Sequence, residues 1–124
     1  MTSQGRPHAR LDRALATGDP LIVRMAAAEC PHLSVADALR IVLVHARADP
    51  DRYPRMAARW AAMLTRDRPI SLAELDTIVG ALLDLGQDAD TGRHALEALA
   101  VDLQLHDVAA AIRRQGGEKR RLTP

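Results

Sequence analysis

With 124 residues, 48% hydrophobic and 27% charged, the chain has the length and composition of a single soluble globular domain. Ile41–Val44, its longest aliphatic run, is too short to cross a bilayer, Met1–Arg10 lacks the apolar stretch of a secretory signal, and the lone Cys30 excludes an internal disulfide, so it reads as cytoplasmic. The net charge of +1 hides a division: residues 1–68 carry eleven Arg against seven acids (+4), residues 69–112 one Arg against eight acids (−7), and residues 113–124 five basic residues against one acid (+4).

Helix signals follow in chain order. A first helix over about His8–Ala16 ends at Thr17-Gly18. Asp19-Pro20 supplies an N-cap with Pro at the first helical position, and that helix runs to Glu29 before Cys30-Pro31. Ser34 with Asp37 forms a variant capping box opening a helix to about Ala48. Asp49-Pro50 and Asp51 both offer starts for the next, which ends near Arg66, with Pro54 placed in its first turn. Ser71 with Glu74 is a full capping box, and Leu85-Gly86 closes that helix. Asp90 caps a helix to about Leu103, and a last one spans His106 to Gln115, stopped by Gly116-Gly117.

The 3.6-residue period assigns the faces. Val35, Ala38, Leu39, Val42, Leu43 and Ala46 form a stripe that Ile41 and Val44 widen, leaving Asp37, Arg40 and Arg47 on a narrow wet strip; this breadth predicts the central helix. Met56, Trp60, Met63 and Leu64 face inward on the next helix, with Arg52, Arg55, Arg59 and Arg66 on its other side. Leu72, Leu75, Ile78, Val79, Leu82 and Leu83 make the following stripe, and Leu96, Leu99, Leu103, Val108 and Ile112 complete the core. Aromatic content of 2%, with Tyr53, Trp60 and no Phe, leaves a core of small aliphatic residues that lets helices pack closely. The expected fold is all-α: a compact bundle of five to seven short antiparallel helices, with a hint of stacked helical hairpins. One domain spans 1–115, with 1–7 flexible and 116–124 a basic flexible tail.

Chemistry-bearing motifs are scarce. Cys30, His32, His94 and His106 lack the spacing of a zinc site. Asp84, Asp88, Asp90 and Gly92 superficially resemble a calcium loop, but the glycine is out of place and no distal Glu follows. Ser34 and Ser71 are engaged as caps, Cys30 has no activating neighbours, His45 sits among aliphatic residues, and no glycine-rich loop cradles phosphate. The reading is a non-enzyme with no cofactor and no metal.

Two binding classes remain. The charge division suits docking to another protein, or self-association through charged faces, unless the two signs pair within one fold. Trp60 would anchor an interface if exposed, but its apolar stripe assigns it to the core. The alternative is nucleic acid, held by Arg52, Arg55, Arg59 and Arg66 together with Arg113, Arg114, Lys119, Arg120 and Arg121. A helix-turn-helix over Ala81–Leu99 fails because its second helix opens with Asp88 and Asp90 and contains Glu97, which phosphate would repel. No membrane partner is expected.

The segments Arg13–Pro20, Pro31–Leu39, Ala57–Trp60 and Leu72–Leu75 resemble a group of small uncharacterised helical proteins encoded in high-GC bacteria, over about residues 11–100. The near-exclusive use of Arg over Lys fits such genomes. The resemblance implies an all-helical fold and brings no activity or functional residue with it.

Overall fold

A computed structural model describes residues 5–122, with side chains over 6–116. It contains seven helices and no strand among the described residues: α1 (Gly5–Thr17), α2 (Pro20–Ala28), α3 (Val35–Ala48), α4 (Tyr53–Asp67), α5 (Leu72–Gln87), α6 (Ala89–Asp102) and α7 (His106–Leu122). The all-α bundle expected from the sequence is what forms.

Most helix starts follow the local chemistry. Asp19 accepts from the Leu21 and Ile22 amides, Ser34 from Asp37, and Ser71 with Glu74 closes a complete capping box. Pro54 lies in the first turn of α4, whose N-cap Arg52 makes no side-chain capping bond. Asp49 instead ends α3 and turns its carboxylate to Arg24 (3.4 Å) and Arg52 (3.3 Å).

Four boundaries depart from the sequence reading. Helix α5 does not stop at Gly86 but runs to Gln87, because Gly86 packs beside the Tyr53 ring, 3.1 Å from where a Cβ would stand. Asp88 then both ends α5 and begins α6, its carboxylate accepting from the Asp90 and Thr91 amides, so Asp88 rather than Asp90 is the cap. Helix α7 passes through Gly116-Gly117 to Leu122, since Gly116 is buried beneath Arg93, whose Nη1 lies 2.5 Å from the position of an added Cβ. Helix α1 begins at Gly5 instead of His8. Expectations for residues 1–4 and 123–124, and for the side chains of Lys119, Arg120 and Arg121, lie outside the described residues.

Helices α6 and α7 are separate. Between them Gln104 takes φ +60°, while the Gln104 amide donates to Val101 (3.0 Å) and the Leu105 amide to Ala100 (2.8 Å). That is a Schellman cap with Gln where Gly is usual.

Helix α3 packs against each of the other six, which confirms it as the central helix. Val35, Leu39, Val42 and Leu43 join the main core with Trp60, Leu64, Ile78, Leu85, Leu96, Val108 and Ile112. Ile41 and Val44 meet Leu11, Leu15 and Val23 in a second cluster under α1 and α2. Helix α7 returns onto α3, α6 and α1, so the hairpins close into a bundle instead of stacking.

Being enclosed on all sides, α3 has no wet strip at Arg40. The side chain is 1% exposed, its Nη1 donating to Asp12 on α1 (2.9 Å) and its Nε to Gln115 on α7 (3.2 Å). Gln115 in turn donates to the Leu15 carbonyl (3.0 Å). A buried guanidinium is tolerated only with such partners. His45 is likewise buried and satisfied: Nδ1 donates to Ile41 (2.8 Å) and Nε2 accepts from Arg24 (3.3 Å). Trp60 is in the core, donating to the Val35 carbonyl at 2.9 Å, and the Tyr53 hydroxyl donates to Leu82 at 2.6 Å.

Gly92 sits where α6 crosses α5; an added Cβ would lie 2.2 Å from the Leu85 Cα. Gly92→Ala is therefore expected to lower the unfolding free energy by about 1–3 kcal/mol despite the better helix propensity of Ala, as read by urea denaturation. Arg40→Ala is expected to cost about 2–4 kcal/mol in the same measurement, with Arg40→Met restoring part by filling the volume.

Candidate interaction surface

Sequence reasoning singled out Arg52, Arg55, Arg59 and Arg66, and the structure divides them. Arg52 pairs with Asp49. Arg55, Arg59 and Arg66 are exposed and bond to no acid among the described residues, lying along the outer side of α4 at spacings of four and seven.

Part of the charge division is neutralised inside the fold. Arg47 of α3 bonds Asp90 of α6, and Arg68 at the end of α4 holds Asp107 of α7 through two bonds of 2.9 Å each. Arg113 pairs with Glu97 at 2.8 Å and Arg114 with Asp12 at 3.5 Å, which engages two members of the expected basic tail. Among the charges that no ion pair engages are Arg55, Arg59 and Arg66 on α4 and exposed Asp76 and Asp84 on α5, with others, such as Arg6, Arg13, Asp51 and Asp102, scattered elsewhere on the surface.

Apolar surface is also exposed on α5. Leu72, Val79 and Leu83, assigned to the core from the sequence, are 83%, 39% and 67% exposed, while Ile78 and Leu82 of the same stripe are buried together with Ala81 and Leu85. Tyr53 at the start of α4 bonds Leu82 near the end of α5, so the pair is antiparallel. Between them runs a groove of about 580 Å³. Small residues of α4 (Ala58, Ala61, Ala62) line one wall, and Leu75, Val79 and Leu83 of α5 the other. The result is an apolar trough; the Arg row of α4 and Asp76 and Asp84 of α5 lie outside its lining, on the exposed sides of the two helices, with Arg59 bordering the concavity on the α2–α3 side of α4.

Sequence reasoning missed the α5 side. Its signal was the width of the α5 stripe: with Ala81 and Leu85 added, apolar positions cover more of the helix than its neighbours α3, α4 and α6 bury. A second apolar stripe, Leu21, Ile22 and Met25 on α2, is also exposed but carries no comparable row of unpaired charge.

Ser34 and Ser71 accept amide bonds as caps. The Cys30 thiol points at the Pro7 and Ala26 carbonyls, and burial, with Asp37 and Glu29 nearby, pushes its pKa up, away from a reactive thiolate. No group of three or more His, Cys, Asp or Glu among the described residues could hold a metal ion. No helix there is long and apolar enough to cross a membrane. Comparison with protein-family models, curated proteins and solved structures yields no match.

The Arg68 bonds hold the Asp107 carboxyl below the usual carboxylate range, outweighing its partial burial, while helix-cap bonds lower Glu74 and Asp88. Folded-state values below the unfolded ones give stability that is present above about pH 4 and lost as pH falls through the lowered values. Thermal unfolding is expected to be flat from neutral to about pH 5 and to fall below about pH 4. Arg68→Gln should be less stable at neutral pH, its deficit shrinking in acid.

Proposed function

We propose that the chain is a small non-catalytic protein-interaction or regulatory module that binds its partner on the α4–α5 face. One observation carries this reading: exposed apolar side chains of α5 border a groove between two helices whose exposed sides carry unengaged Arg on α4 and unengaged Asp on α5. Exposed apolar residues flanked by charge are what protein-binding patches present, the apolar floor giving affinity and the flanking charges orientation. A trough walled by two antiparallel helices suits a helical ligand with an apolar face, acidic along one side and basic along the other. The lone half-buried Cys30 fits a reducing, cytoplasmic setting.

The row Arg55, Arg59 and Arg66 also supports a second reading, contact with nucleic-acid phosphates. The two readings divide on Leu83, which phosphate does not need. With the chain immobilised in lysate of its source organism, a stoichiometric protein is expected that survives nuclease. Its capture should fall about tenfold or more for Leu83→Glu and for Arg55→Glu/Arg59→Glu. Enrichment that vanishes with nuclease, is indifferent to Leu83→Glu and is lost in the double Arg variant would transfer the assignment to nucleic acid. Capture unchanged in both variants would overturn the proposed face.

A further inference from the structure

We infer that the ligand of the α4–α5 groove is a second copy of this chain, docked about a twofold axis parallel to the two helices, so that each α4 lies over the partner's α5. The inference rests on the groove being the binding face and adds its occupant.

A helix pair meeting its own copy face to face has two twofold arrangements. An axis across the helices sets α4 on α4 and α5 on α5. An axis along them sets α4 on α5 and α5 on α4. The first would bring Arg55, Arg59 and Arg66 against their own copies, Asp76 and Asp84 against theirs, and pack alanine on alanine. The second satisfies both charge and shape. The register fixed by Tyr53 against Leu82 brings Arg55 within about a turn of the level of Asp84 and Arg59 level with Asp76, while Arg66 lies about two turns beyond Asp76. Leu72, Val79 and Leu83, the large exposed residues, then face Ala58 and Ala62, the small ones. One half of the face is thus complementary to the other half in charge and in size, the condition for an isologous interface.

Gly80 supplies an independent observation. It lies in the middle of α5 on the outward side, and an added Cβ there would meet nothing within 4 Å. A glycine inside a helix is unfavourable, and nothing in this chain's own packing requires one here. The missing Cβ leaves room for close approach of a second backbone over α5.

The test is analytical ultracentrifugation of the full chain from about 1 to 500 µM, spanning the affinities common for modest interfaces. A monomer–dimer equilibrium is expected, weakening as salt rises from about 50 to 500 mM because opposite charges face each other. Leu83→Glu should weaken it about tenfold or more. Gly80→Ala should raise the melting temperature of the monomer and yet weaken the dimer, which a purely structural role for Gly80 would not do. Arg55→Glu/Arg59→Glu/Arg66→Glu and Asp76→Arg/Asp84→Arg should each be monomeric alone and dimerise when mixed. A wild-type monomer throughout, a dimer indifferent to Leu83→Glu and Gly80→Ala, or a dimer that tightens with salt overturns the inference. A wild-type monomer that still captures a different protein through Leu83 would overturn only the second-copy assignment and leave the proposed function intact.

Discussion

The guanidinium of Arg40 is the point on which the arrangement turns. It is buried in the central helix where the first and last helices cross, and it holds Asp12 of α1 and Gln115 of α7 at once. Charge in that position demands partners, so the two ends of the domain are brought to one place and the chain closes on itself. Closure there has a consequence elsewhere. With α1 and α7 gathered around Arg40, α5 packs on α3, α4 and α6, and its outer side has no neighbour among the described residues.

Hydrophobic burial and electrostatics then act on different parts of the molecule. The small side chains of the core let six helices converge on α3, and the two buried hydroxyl and indole donors, Tyr53 and Trp60, are satisfied by carbonyls of α5 and α3. Across the helix ends, ion pairs such as Arg68 with Asp107 join the basic and acidic segments of the sequence, each exposed and individually weak. Subtracting these pairs from the sequence's charge division leaves, among other surface charges, unengaged Arg on α4 beside unengaged Asp on α5.

Local signals were the legible part of the sequence. Side-chain caps at Asp19, Ser34 and Ser71 are decided within four residues, and α3 announced its central place by the breadth of its apolar face. What depended on distant contacts was not legible. Gly86 and Gly116 look like stops, but each is a site of close approach, one to Tyr53 and the other to Arg93. Arg40 looks solvated until α1 and α7 arrive to cover it. On α5 the error runs the other way: a stripe reads as core because periodicity records which residues share a face and is silent on whether anything covers it. Of the candidate surface, the Arg row could be read from spacing alone, whereas its pairing with the exposed leucines needed the fold.

The chain's two large aromatic residues also make it self-reporting. Trp60 borders a concavity on the α2–α3 side of α4, and Tyr53 borders the groove on the α5 side, so one helix carries a separate chromophore toward each flank. With no other Trp or Tyr in the sequence, indole emission reads the environment at the Val35 carbonyl alone. The phenol, pushed by burial to a pKa of about 12, reads the opposite side through its ultraviolet absorbance. Events on the two faces of α4 are thereby optically separable without a label.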